Sequence, residues 1–216
     1  MSQRGKFLTF EGLDGCGKST QMELLAEVLR RQGLDVVTTR EPGGTPTGEK
    51  IRSVILDSKT RSLAPMAELA LMFAARAQHI AEIITPSLGA GRWVLCDRFT
   101  DSSEAYQGGG RQMGSDLILT MHQVVCGDLM PDMTILMDSD PQASVARARR
   151  RNKANAQDGI DENRFEKEKL EFFDRVHVAY NAIAVREPAR VFKVDARRPK
   201  EVTHLEIVRA VRERIG

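Results

Sequence analysis

Residues 12–20, GLDGCGKST, constrain the fold more than any other stretch. They match G-x-x-x-x-G-K-[ST], with Gly12, Gly17, Lys18 and Ser19 at the fixed positions, between the apolar run Lys6–Phe10 and a helical pattern over Lys18–Gln32. Glycine is a poor residue with which to begin a helix, so its repetition here needs a reason. A strand that turns through glycines into a helix directs successive backbone N–H groups at one point, and the helix amino end adds positive potential there. That is a cradle for phosphate, in which Gly15, Cys16 and Thr20 complete the loop, Lys18 reaches the β- and γ-phosphates and Ser19 can ligate Mg²⁺. A nucleotide polyphosphate is the implied ligand, since a merely connecting glycine turn would not need lysine and serine directly after it, but the loop alone does not separate kinases from GTPases, transport ATPases or helicases.

Short apolar or β-branched runs recur at Lys6–Phe10, Asp35–Thr39, Trp93–Asp97, Met133–Met137 and Val191–Asp195. Helical spacing fills the intervals Met66–Leu88, Asp116–Val125, Pro141–Arg151, Arg164–Val185 and Lys200–Arg214. Alternation of strand and helix predicts an α/β fold, a five-stranded parallel sheet flanked by helices on both faces. Ligands of such sheets bind beyond the carboxyl ends of the strands. Pro86 is expected to kink its helix or end it early. With 216 residues and no linker, the chain reads as one domain, 1–216, carrying a mobile insertion over about 147–164.

A net charge of +2 advertises neither a nucleic-acid nor a membrane surface, and no uninterrupted apolar stretch is long enough to span a bilayer. Three cysteines at wide spacing suggest neither disulfides nor zinc, and free thiols point to a reducing compartment, hence a cytoplasmic protein. Cys16, at a helix start, is either a reactive thiol or a small inert filler. The nearest approach to a guanine reader, Asn152-Lys153-Ala154-Asn155, ends in the wrong residue.

The elements FEGLDGCGKST at 10–20, TREPGGT at 39–45, DRFTDSSEAYQGGGR at 97–111 and VDARRP at 194–199 closely resemble bacterial thymidylate kinases. The resemblance implies transfer of the γ-phosphoryl of ATP to dTMP, giving dTDP and ADP, with Mg²⁺ and in a homodimer built on the long helices around Met66–Leu88 and Asp116–Val125. Within enzymes the alternative is another nucleoside monophosphate or deoxynucleoside kinase; outside them it is a non-catalytic phosphate-loop binding module.

The acceptor of such a reaction is already an anion, because a phosphomonoester loses its second proton near pH ~6, so alignment and charge neutralisation matter more than a base. The resemblance makes Asp97 and Asp14, with Ser19, the metal-side residues, and Arg98 and Arg52 ligands of the acceptor phosphate. Glu41, Pro42 and Gly43 resemble a turn beside the acceptor; Asp14 contacts its ribose or phosphate region, Ser102 belongs to the substrate-binding element, and Ser103, Tyr106 and Gln107 line its base and sugar, with Tyr106 where a ribose 2′-hydroxyl would sit. Arg76 is similar to the residue that hydrogen-bonds thymine O4, and Phe73 to the aromatic that stacks on the base. Here the offset from aromatic to arginine is three residues rather than the four common in relatives, so Met72 competes for that wall. Asp195, Ala196 and Arg197 resemble a loop framing adenine. Gly15 stands where some relatives carry an arginine, and the basic run Arg147, Arg149, Arg150, Arg151 and Lys153 offers a substitute. Arg147 is assigned to ATP, and Arg149 or Arg151 to the charge developing on the transferred group.

Overall fold

The computed structural model describes residues 4–57, 59–60, 63–155 and 164–215. Five parallel strands, β1 (Phe7–Glu11), β2 (Val36–Arg40), β3 (Trp93–Asp97), β4 (Met133–Asp138) and β5 (Val191–Asp195), lie in the order β2-β3-β1-β4-β5. Alternate side chains of these strands face opposite layers. Leu8, Phe10, Leu95, Ile135, Met137 and Val194 pack with Leu25, Ala26 and Leu29 of α1 (Lys18–Arg31) and Ile207 and Val211 of α9 (Lys200–Ile215). On the other face, Phe7, Val94 and Cys96 meet Ile84, Leu88 and Phe99, while Leu136 and Val191 meet α8 (Leu170–Arg186) through Phe173, Val176 and Ile183. Each fully buried aliphatic chain contributes about 1.5–3 kcal/mol of transfer free energy, so both layers anchor the sheet.

The parallel register brings the strand ends together: Arg40 and Phe10 both pair with Asp97, which places Glu11 beside them. The loops that follow these three strands therefore converge at one edge of the sheet.

Several boundaries differ from the expectations. Pro86 does not end its helix. Helix α3 (Pro65–His79) passes through a π turn (Ile80–Ile84) into α4 (Thr85–Gly89), and this wider turn absorbs the ring that an α-helical ladder would reject. The spacing predicts no element over Pro46–Leu56, which forms α2: the Thr45 hydroxyl accepts from Gly48 N at 2.9 Å as its cap, and Pro46 takes the first helical position. After β3, α5 (Thr100–Ser103) opens into a second π turn (Glu104–Gly110), and α6 (Ser115–Cys126) follows.

Helix α7 (Pro141–Asn155) carries the basic run, so residues 147–155 of the expected insertion are helical, and its remainder, 156–163, lies outside the described residues. The helix expected from Arg164 begins only at Leu170. Residues 164–168 are held as turns because Arg164 N donates to Leu56 O at 3.1 Å, while Arg149 draws off the carbonyls of Glu166 and Glu168 at 2.8 and 3.1 Å.

Candidate active site

The loop after β1 fits the phosphate-cradle reading in its backbone. Gly12 and Gly15 take φ of +132° and +81°, and a Cβ at Gly15 would come within 2.5 Å of Ser144 O. Gly17 sits at the start of α1 with φ 100° and no side-chain cap, so no hydroxyl or carboxylate competes for the first amides of that helix. Lys18, 5% exposed, donates to Gly12 O at 3.1 Å and Leu13 O at 3.0 Å, which folds its ammonium back over the loop. Cys16 is buried among core residues, and burial raises its thiol above the ordinary value. Of the two readings of Cys16, the inert filler is the one its surroundings match.

Two cavities open at the strand ends. One is lined by Gly15, Gly17, Lys18, Ser19, Thr20 and Asp97, together with Arg40 and Arg147. The other is lined by Pro42, Leu56, Met72, Arg76, Phe99, Ser102, Ser103, Tyr106 and Gln107, together with Phe165 and Glu166. Asp14, Glu41, Arg52, Arg98, Arg151 and Asn152 line both. Three guanidinium groups thus stand where the cavities meet.

At that junction Arg98 is held in a left-handed backbone conformation, φ 75°, which costs an ordinary side chain about 1–2 kcal/mol. Its amide donates to Phe10 O at 3.0 Å, and its guanidinium meets Asp14 at 3.0 Å, Ser102 Oγ at 2.9 Å, Tyr180 Oη at 3.1 Å and Tyr106 Oη at 3.2 Å. Burial pushes the Asp14 carboxyl up, but Arg98 and then Lys18 outweigh it and hold the group ionised far below its usual range. The same carboxylate keeps Arg98 charged. Arg52 donates to Pro42 O at 3.0 Å.

Ser19 Oγ donates to Asp97 Oδ2 at 2.8 Å, and Asp97 Oδ1 is buried with no hydrogen-bond partner among the described residues. A hydroxyl and an orphaned carboxylate oxygen beside a phosphate cradle form a donor set suited to Mg²⁺. A second orphan is Arg76 Nη1. The rest of that guanidinium is committed, to Glu41 at 2.7 Å, Phe99 O at 3.0 Å and Ser103 Oγ at 3.0 Å, so the side chain cannot swing to satisfy it elsewhere. Glu41 is pushed up by burial but pulled below its ordinary value by Arg76 and His79.

Some expected residues stand apart. Phe73 is not a cavity wall: it is 1% exposed and packs with Leu69 and Ile118, whereas Met72 lines the cavity. The helix explains this, because Met72 and Arg76 are four apart on one face and Phe73 shares the neighbouring face with Leu69. Arg149 turns to the carbonyls of Glu166 and Glu168 and lines neither cavity; Arg151 lines both. Arg147 donates to Gly15 O at 2.8 Å, against the phosphate loop. Asp195, Ala196 and Arg197 form a turn in which Arg197 Nε donates to Asp195 at 2.7 Å, and none of the three lines either cavity. Gly43 also lies outside both linings.

Glu11 is a site residue that the sequence reading does not single out. It is fully buried at the end of β1, accepting from Phe99 N at 2.7 Å, Ser102 Oγ at 2.5 Å and Tyr180 Oη at 3.1 Å, and burial followed by the Asp101 charge raises its carboxyl to about 7. Its one sequence signal is a carboxylate closing an otherwise apolar strand. Glu11 lines neither cavity and acts only through Phe99, Ser102 and Tyr180, whereas Phe165, Glu166 and Asn152 join the linings themselves, and only the NRFE stretch hints at the first two.

The family model of thymidylate kinase matches residues 10–207. The chain is 48% identical over 198 residues to the thymidylate kinase of Alkalilimnicola ehrlichii, covering 92% of this chain and 88% of that protein. It is 44% identical over 216 residues to that of Bordetella pertussis, covering 100% and 99%. The crystal structure of thymidylate kinase from Ehrlichia chaffeensis superposes with a TM-score of 0.76 at 34% identity, over 96% of this chain and 99% of that one.

Proposed function

The chain belongs to the thymidylate kinase family and phosphorylates dTMP to dTDP, and from that premise we propose how its residues divide the work. The observation that carries the proposal is the junction of the two cavities, where Arg52, Arg98 and Arg151 line both cavities together with Asp14. ATP takes the cavity of the phosphate loop, with its β- and γ-phosphates on Lys18 and the α1 amides. dTMP takes the second cavity, its phosphate on Arg98 and Arg52. The γ-phosphoryl then lies between an acceptor oxygen and the loop, and Arg151 neutralises charge as it transfers. Arg147 braces the loop.

Arg98 and then Lys18, against the effect of burial, hold the Asp14 carboxyl ionised well below its ordinary range, and its part is to fix the Arg98 guanidinium at 3.0 Å. Ser19 and Asp97 would hold Mg²⁺, which would supply screening of the charge on the phosphate oxygens. Met72 covers one side of the thymine, and the orphaned Nη1 of Arg76 donates to O4. Tyr106, hydrogen-bonded to Arg98 and within 3.4 Å of Asp14, fills the space of a ribose 2′-hydroxyl. The whole chain acts as one catalytic domain, in the cytoplasm, with residues 147–164 as the lid. Exposed Met66 on α3 and Leu119 and Val124 on α6, the last 77% exposed, favour these helices as a homodimer face, which light scattering tests.

A panel of nucleoside monophosphates in an ADP-release assay tests the reading. dTMP is expected to give the highest kcat/KM and UMP to be rejected. Turnover greatest with another acceptor, or ADP release indifferent to acceptor, overturns it.

A further inference from the structure

Glu68, on α3, is a fully buried carboxylate outside both cavity linings. Its Oε2 accepts from Arg111 Nη2 at 3.1 Å and Arg164 Nη2 at 2.7 Å, and its Oε1 accepts from Arg111 Nε at 3.3 Å and Gln107 Nε2 at 2.9 Å. With two guanidinium groups and the Gln107 amide nitrogen all directed at it, both oxygens of this carboxylate act as acceptors. It therefore dictates which end of the Gln107 amide faces it. The NH₂ must turn to Glu68, and the carbonyl oxygen takes the opposite direction, on the side chain that lines the acceptor cavity.

Gln107 offers this cavity a polar group suited to an edge of the base. The unpartnered Arg76 Nη1 offers another, and it is a donor. With Gln107 oriented by Glu68, the two present a donor and an acceptor. That pair complements an oxo group beside a ring N–H and opposes the amino group and bare ring nitrogen of cytosine.

Building on the reading that the base occupies this cavity, we propose that Glu68 is a positioning residue for base specificity, which selects an N3–H pyrimidine by holding Gln107 with its carbonyl toward the ligand. Arg111 and Arg164 act through it. Arg164 also donates from its backbone to Leu56 O at 3.1 Å, and Arg111 pairs with Glu168, so the carboxylate is locked between the end of α2, the second π turn and the turns at 164–168.

Glu68→Gln separates this role from simple packing, because the two side chains are nearly isosteric. In the variant the shorter claims, from Arg164 Nη2 and Arg111 Nη2, fall on the carbonyl oxygen of the introduced amide, which sits where Oε2 sat, and the longer bond from Arg111 Nε to the Oε1 position is given up. The introduced NH₂ then faces Gln107, and the Gln107 amide reverses, offering a donor to the cavity. The assay measures kcat and KM for dTMP and dCMP at saturating Mg-ATP, together with KM for ATP. The expected result is a dTMP KM raised about tenfold, an ATP KM changed less than about twofold, and a dTMP-to-dCMP ratio of kcat/KM reduced about tenfold or more, since a mismatched polar edge is what such sites reject most strongly. Gln107→Leu, which abolishes the amide without touching Glu68, is expected to reduce the same ratio and serves if Glu68→Gln does not fold. An unchanged ratio in a folded Glu68→Gln protein, or in Gln107→Leu, overturns the proposal while leaving dTMP phosphorylation intact. A wild-type enzyme that accepts dCMP as well as dTMP instead overturns the placement of the base, and the role of Glu68 with it.

Discussion

Replacing Gly109 with alanine tests whether the second π turn owes its shape to the helix that crosses it. An ideal Cβ at Gly109 would stand 2.6 Å from Ala179 Cβ and 3.2 Å from Arg175 O, both on α8. Non-bonded carbons rest about 3.5–4.0 Å apart, so the turn and the helix must separate by roughly 1 Å. Neither neighbour can move aside by rotating a side chain: one is a methyl on its own Cα and the other is backbone. Overpacking of this kind costs about 1–3 kcal/mol, which for a chain of this size lowers Tm by roughly 4–8 °C at 2 kcal/mol. The same turn carries Tyr106 and Gln107, so the KM for dTMP should rise while that for ATP holds. Gly89 is the control, an exposed helical glycine with nothing within 4 Å of a built Cβ. Gly89→Ala should raise Tm slightly, by up to about 1 kcal/mol of stability. Differential scanning fluorimetry and acceptor titrations report both effects. A Gly109→Ala protein that melts with the wild type and binds dTMP unchanged would refute the claim that close approach of α8 shapes the acceptor site.

Asp97→Asn removes the charge from the orphaned oxygen, and a magnesium titration of activity should show apparent affinity weakened about 10–100-fold with the melting temperature nearly intact. Arg151→Ala should lower kcat about 10²–10³-fold in steady-state assays, whereas Arg149→Ala, whose guanidinium grips Glu166 and Glu168 carbonyls, should lower it far less; equal losses would defeat the assignment. Glu11 titrates near 4.5 unfolded and about 7 folded, so the folded state holds the proton between those values. Stability is accordingly full below about 4.5 and falls as pH rises through about 7, by about 3 kcal/mol in total, and Glu11→Gln should flatten that part of the Tm profile.

The strands were legible because a β run is a local pattern: Trp93–Asp97 and Val191–Asp195 have the same limits in the sequence and in the structure. The phosphate loop was legible for the same reason, since its glycines, lysine and serine all fall within residues 12–19 and their pattern is local. Where the outcome turned on rotation about a helix axis, sequence spacing was insufficient. Met72 and Phe73 are adjacent and both apolar, and only the packing of Phe73 against Leu69 and Ile118 decides which of them faces the second cavity. Arg149 and Arg151 pose the same problem, settled in position by the carbonyls of the segment across from α7. Glu68 lies further out of reach. A lone acid in the apolar run ELALMF carries no motif, and its meaning comes from Arg111 and Arg164, 43 and 96 residues away along the chain. Such a charge is tolerable in the interior only because the fold delivers both cations to it, and the same delivery orients Gln107. Chemistry that rests on neighbours in sequence can be read one residue at a time; specificity that rests on a buried charge and its distant partners becomes readable only when the chain has closed around it.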